Sequence, residues 1–275
     1  MVAHTLVGSV LAVGLPGSLG NEHVGGVGRG LVLWVVCLNG GTLALNSAYD
    51  KDEGDIAYLR QPPPPPRYLA GFSLGLMLLG FLLASLLPGE FQIAYAICLV
   101  LSVLYSVPPF RLKAVPGADW IINTVGFGTL TPYAGWSATG LPLQAAPGVV
   151  LLAFCPLFAA LYPLTQIYQF DEDSRRGDRT LALTLGIKRS LIVSLVAAAA
   201  GYGLFTLAGW LAGWGRHDAW RWIALAFSAA VWAVVLLRWL RRHRSMGVRE
   251  HQRGMYQALG AWAITDVVVV LAWSP

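Results

Sequence analysis

Residues 147–173 read PGVVLLAFCPLFAALYPLTQIYQFDED. Positions 147–169 carry no charge, and about 20 such residues cross the hydrocarbon core of a bilayer as a helix. Three carboxylates in a row, Asp171 to Asp173, then close the stretch. An earlier apolar run, 29–48, ends in the same way, in Asn46-Ser-Ala-Tyr-Asp50-Lys-Asp-Glu53-Gly-Asp55. Carboxylates at the mouth of a hydrocarbon-embedded bundle are costly, so two such clusters mark a site that binds something.

The rest of the chain agrees with a membrane setting. Of its 275 residues 56% are hydrophobic and only 12% charged, where a soluble domain carries roughly a quarter. Eleven Trp and ten Tyr suit the two membrane interfaces. The net charge of +5 is explained by loop topology and implies no nucleic-acid partner. Cys37, Cys98 and Cys155 lie singly in apolar runs and read as packing residues. The N-terminus lacks a basic leader, so no cleavable signal is expected.

Nine apolar spans are expected, near 5–20, 29–48, 68–88, 91–108, 119–138, 147–169, 188–212, 219–240 and 255–274. The first is short and interrupted by Gly14, Pro16 and Gly17. No soluble domain fits between them, which predicts a single domain over 1–275: an all-α integral membrane bundle enclosing a cavity open to cytoplasm and lipid. The loops after spans 2, 4, 6 and 8 hold 16 of the 19 Lys and Arg residues. The positive-inside rule therefore puts those loops and the N-terminus in the cytoplasm and the C-terminus outside, in what reads as a bacterial inner membrane. Both acidic clusters then share the cytoplasmic side. Pro62 to Pro66 read as a stiff polyproline spacer behind the first cluster.

At about 100° per residue, Asn46, Asp50 and Glu53 fall within about 60° of each other on a helix, and Gln166, Gln169 and Asp173 form a matching stripe. Asp55 turns inward if Gly54 ends the first helix, and Asp171 sits just off the second stripe. Mg²⁺ takes six oxygens from one or two carboxylates, waters and substrate phosphates. Two facing stripes of this kind suit one or two Mg²⁺ ions bridging a phosphorylated, lipophilic substrate. Between the clusters, Tyr105-Ser-Val-Pro-Pro-Phe-Arg111-Leu-Lys113 closes span 4 on the same side. Arg111 offers a two-point grip on phosphate and Lys113 a point charge. Asp119 and Asn123 reach toward the cavity from span 5, where Gly126 and Gly128 permit close helix packing. Asp266, deep in span 9, needs a partner that the sequence does not choose between cavity and arginine. The five histidines show no ligand spacing.

Taken in order, these residues resemble the UbiA-type intramembrane prenyltransferase family. Asn46 and Asp50 match the first two positions of its Asn-x-x-x-Asp-x-x-x-Asp signature; the third falls on Gly54, leaving Glu53 or Asp55 to replace it. Tyr105 to Lys113 is similar to the family's Tyr-Ser-x-Pro-Pro-x-Arg-Leu-Lys segment, whose basic residues contact diphosphate. The second signature, Asp-x-x-Asp-x-x-x-Asp, aligns on Gln166, Gln169 and Asp173, so only the last keeps its acid.

The resemblance implies a Mg²⁺-dependent enzyme that transfers a prenyl group from an isoprenyl diphosphate to a lipophilic, quinone-precursor-like aromatic acceptor. Asn46, Asp50, Glu53 and Asp173 would bind metal, with Asp55, Gln169 and Asp171 in reserve; Asp50, Asp173 and Arg111 would carry the chemistry. Arg111, Lys113, Arg179, Tyr105, Asn123 and Gln166 would hold substrate, and no obligate protein partner is implied. Two rival readings stand beside it: a terpene cyclase on the same fold, and a transporter whose acids line an ion path.

Overall fold

The computed structural model describes residues 1–14, 23–50 and 64–273. Among them the chain is helical, without strands. Six helical stretches are long and apolar enough to cross a membrane: Val24–Asp50, Gly89–Ser106, Ala145–Gln169, Leu181–Leu211, Arg216–Ser245 and Val248–Trp273. Three more pieces accompany them. α1 (Val2–Val13) and α4 (Leu69–Ala84) are apolar but shorter. The third is a continuous run built from α6 (Ala118–Asn123), a π-helical segment (Thr124–Leu130) and α7 (Thr131–Ser137). At 12 residues α1 extends about 18 Å, less than the ~30 Å of a hydrocarbon core.

Large aliphatic side chains such as Leu82, Ile93, Val196 and Ile223 point outward from α4, α5 (Gly89–Ser106), α10 (Leu181–Leu211) and α11 (Ala219–Arg242). In a soluble protein this would be a liability; against lipid it costs nothing. The protein is therefore an integral membrane protein.

Small residues set the closest approaches. Gly8 of α1 and Gly135 of α7 meet backbone to backbone: a methyl on Gly8 would run into the Pro132 carbonyl, and one on Gly135 into that of Thr5. Gly128 sits against α8 (Ala145–Gln166), where a methyl would come within 2.8 Å of the Phe154 carbonyl. Where helices break hydrogen bonds, side chains replace them. Pro163 inside α8 cannot donate to the Ala159 carbonyl, which accepts from Trp120 Nε1 at 2.9 Å instead.

The second span is α2 (Val24–Leu31), a π-helical segment (Val32–Gly40) and α3 (Gly41–Asp50). Asn39 Nδ2 donates to the Trp34 carbonyl within its π segment, and Thr131 Oγ1 to that of Gly126 at the end of the other. Trp34 Nε1 reaches Thr131 Oγ1 at 3.3 Å, joining the two widened segments.

Among the described residues, Asp266 of α12 (Val248–Trp273) has neither an arginine nor the cavity as its partner. It accepts from His4 Nδ1 at 3.0 Å, and the His4 ring stands edge-on to Phe154 and Trp262. This buried contact ties α1 to α12, and nothing in the histidine spacing announced it.

Candidate functional site

Arg111 lies where the polar ends of the helices meet. It follows α5 and adopts φ 39°, ψ 50°, a left-handed conformation that only glycine takes freely. A non-glycine residue held in this way is characteristic of functional sites. Its guanidinium grips Asp178 with both nitrogens, Nη1 to Oδ1 at 2.6 Å and Nη2 to Oδ2 at 3.3 Å. Nη2 also stands 3.9 Å from Asp50 Oδ1, at the end of α3. One arginine thus links the first carboxylate of the first acidic stretch to the loop behind the second.

Lys113, buried two residues further on, places its ammonium against the same Asp50 oxygen and 3.3 Å from Asn46 Oδ1. Asn46 Oδ1 lies 3.4 Å from Ser106 Oγ as well. Asp50 has two cations at its side, and its Oδ1 is buried.

The second stripe is knitted to span 5 by Asp119, which is fully buried. Its Oδ1 accepts from the Gly117 amide, and its Oδ2 from Gln166 Nε2 and the Leu181 amide, both at 3.1 Å. Gln166 also donates to Tyr162 OH at 3.2 Å, and Tyr162 OH pairs with Tyr105 OH at 2.9 Å. Asn123 Nδ2 donates to the Asp119 carbonyl. Gln166 Oε1 is buried without a hydrogen-bond partner.

Asp173, on α9 (Phe170–Arg176), is buried, and its carbonyl accepts the Asp178 amide at 2.9 Å across the left-handed turn at Gly177. Asp178 is also buried. Sequence reasoning passed over it; its place just after that glycine, inside a polar loop, was the available signal. Gln169 is half-buried; Asp171 and Arg179 are exposed, outside the contacts that gather the cluster. Glu53, Asp55 and the start of the proline run lie outside the described residues.

Asn46, Tyr105 and Asn123 connect this polar cluster to a cavity of about 150 Å³. Its other walls include Trp34, Leu38, Cys98, Gly126 and Phe127, from both π-helical segments and α5. A charged, oxygen-rich cluster therefore opens onto an apolar, partly aromatic chamber. Among the described residues no three His, Cys, Asp or Glu side chains converge on one point. The donors present, Asn46, Asp50, Asp173, Asp178 and Gln166, are all oxygen ligands, which fits a hard divalent cation.

The description "UbiA prenyltransferase family" matches residues 1–253. The chain belongs to that family. Among curated relatives it is 34% identical over 148 residues to a probable homogentisate phytyltransferase 2, chloroplastic, of Oryza sativa subsp. japonica, and 32% identical over 175 residues to a chloroplastic homogentisate solanesyltransferase of Arabidopsis thaliana. The matches cover 48% and 57% of this chain, and the chain spans less than half of either relative, 36% and 44%.

Solved structures share the UbiA-like fold. A UbiA homolog from Archaeoglobus fulgidus bound to DMAPP and Mg²⁺ superposes with a TM-score of 0.64 at 18% identity, covering 97% of this chain and 96% of the homolog. The same homolog is also known bound to GPP and Mg²⁺. A digeranylgeranylglyceryl phosphate synthase gives 0.71 at 13% identity, covering 99% of this chain and 92% of the other.

Proposed function

We propose that this chain is a Mg²⁺-dependent membrane prenyltransferase. It moves a prenyl group from an isoprenyl diphosphate to a lipophilic aromatic acceptor of the quinone-precursor class. The observation that carries this reading is Arg111 set between Asp50 and Asp178, beside an apolar chamber that reaches the cluster at Asn46, Tyr105 and Asn123. The names of the two plant relatives, both homogentisate prenyltransferases, support the aromatic acceptor. The Mg²⁺ and prenyl diphosphates bound by the archaeal homolog support the donor and the cofactor.

Asn46, Asp50 and Asp173 would hold Mg²⁺, with Glu53, Asp55, Gln169 and Asp171 as further ligands. When bound, Mg²⁺ neutralises charge on the departing diphosphate. Arg111 takes two diphosphate oxygens in its planar fork and Lys113 adds a single strong donor. As the allylic C–O bond breaks, its electron pair leaves with the diphosphate. The aromatic walls at Trp34, Tyr105 and Phe127 face the resulting cation with their π systems. The apolar lining keeps water from quenching it. A ring carbon of the acceptor then forms the new C–C bond and the ring loses a proton. Gln166 and Asn123 position the chamber wall through Asp119, and Arg179, exposed beside Asp178, would meet the donor as it approaches.

The full architecture we propose is one UbiA-like domain over 1–275, with nine membrane helices: the six long stretches, α1, α4 and the α6–α7 run. Its cavity opens to cytoplasm and lipid, with the N-terminus inside and the C-terminus outside. The positive-inside distribution supports this orientation. The sequence reading assigns a bacterial inner membrane, and the chloroplast relatives put plastid membranes within reach of the family as well.

Membranes carrying the protein, given labelled isoprenyl diphosphates of several chain lengths and Mg²⁺, with and without homogentisate and other phenolic acids, test the assignment. A labelled, acceptor-dependent product is expected. A cyclised hydrocarbon formed without acceptor would replace the transferase reading by the cyclase one.

A further inference from the structure

Where α11 hands over to α12 the helices enclose a second cavity, of about 350 Å³, that shares no residue with the chamber described above. Arg238 and Arg242 face it from the last turns of α11; Arg253 and Gln257 face it from the first turns of α12. Each pair is four residues apart and so shares one helix face. The floor is built and rigid. Trp239 is buried and donates through Nε1 to His251 Nδ1 at 2.9 Å. Its indole lies so close to α12 that a methyl on Gly254 would come within 2.8 Å of the ring.

Charge is what sets this cavity apart. Arg111 and Arg221, by contrast, are each held against an aspartate, Asp178 and Asp218. Among the described residues, Arg238, Arg242 and Arg253 form no ion pair. Glu250 also lines the cavity, but its Oε2 accepts the Gly247 amide at 2.9 Å, capping the turn into α12. Three exposed guanidiniums around one hollow raise its positive potential and draw an anion to it. Their planar donor forks match the oxygens of phosphate, and a basic pocket between membrane helices is the setting in which phosphate headgroups bind.

We propose that this cleft binds a phosphate group, held by Arg238, Arg242 and Arg253 with the Gln257 amide as a further donor. The phosphate belongs either to an anionic phospholipid headgroup or to a soluble phosphate. This site is independent of the prenyl-transfer reading.

The test uses the full chain in phosphatidylcholine nanodiscs, titrated in one arm with phosphatidylglycerol in the disc and in the other with inorganic phosphate. Binding is read by melting temperature and, for lipid, by native mass spectrometry. At least one arm is expected to bind saturably, and the arm that responds names the source. Combining Arg242→Gln with Arg253→Gln removes two charge-assisted contacts and should weaken the apparent Kd by about tenfold or more. Arg242→Lys keeps the charge and the packed stem but loses the two-point grip, so it too should weaken binding, and it serves if the glutamine pair does not fold. Parent-strength binding in folded variants, or no binding in either arm, overturns the site.

Discussion

Asp119 takes N–H groups from three elements: the turn before α6, the end of α8 and the start of α10. That arrangement accounts for a glutamine at 166, where the resemblance implies an acidic residue. An aspartate there would set a second buried carboxylate against Asp119 and remove an N–H that Asp119 needs. Gln166→Asp is therefore expected to cost about 2 kcal/mol of stability, because a buried acceptor loses its donor. Adding Asp119→Asn should restore part of that loss, a coupling that a double-mutant cycle by thermal melting would measure. Melting curves that simply add would show that the two side chains act independently. Arg111 makes a different prediction. Arg111→Lys keeps the charge but not the fork, so the KM for prenyl diphosphate should rise by about tenfold with the fold intact, as steady-state kinetics would show.

Helix pairs here depend on a few glycines, and they are unequal. Gly135→Ala would force α1 and α7 apart at their crossing and should destabilise by about 1–3 kcal/mol. Gly75→Ala on α4, where nothing lies within 4 Å, should be neutral or slightly stabilising in the same melting experiment.

This inequality also marks how far the sequence could be read. Long apolar runs give away their spans, so 147–169 and 219–240 lie within a few residues of the observed helices. Period and hydropathy do not encode the π-helical turns at Val32–Gly40 and Thr124–Leu130, because both are apolar whichever way they wind. Nor do they encode the short helical piece from Leu181 that precedes the break at Gly186 (φ 73°); the span expected from 188 matches the part of α10 beyond that break. Asn46, Asp50, Arg111 and Lys113 were legible as a set, since each closes an apolar span on the same side. Asp178 and His4 were not. Neither closes an apolar span or falls on a polar stripe, so only the folded chain reveals their pairing with Arg111 and Asp266.

In the whole molecule, the bundle separates two environments. Lipid-facing aliphatic residues cover the outside, and the partly aromatic chamber within meets the charged cluster around Arg111. There Lys113 and Arg111 pair with Asp50 and Asp178, and under the proposed function Mg²⁺ and a diphosphate would take over these charges. The most direct test is the release of inorganic diphosphate from an isoprenyl diphosphate, followed as Mg²⁺ is titrated, for the parent protein and for Asp50→Asn. The account predicts saturable, Mg²⁺-dependent release in the parent and a drop of about a hundredfold or more in the folded variant. Release that needs no divalent cation, or that survives in Asp50→Asn at the parent rate, would contradict it.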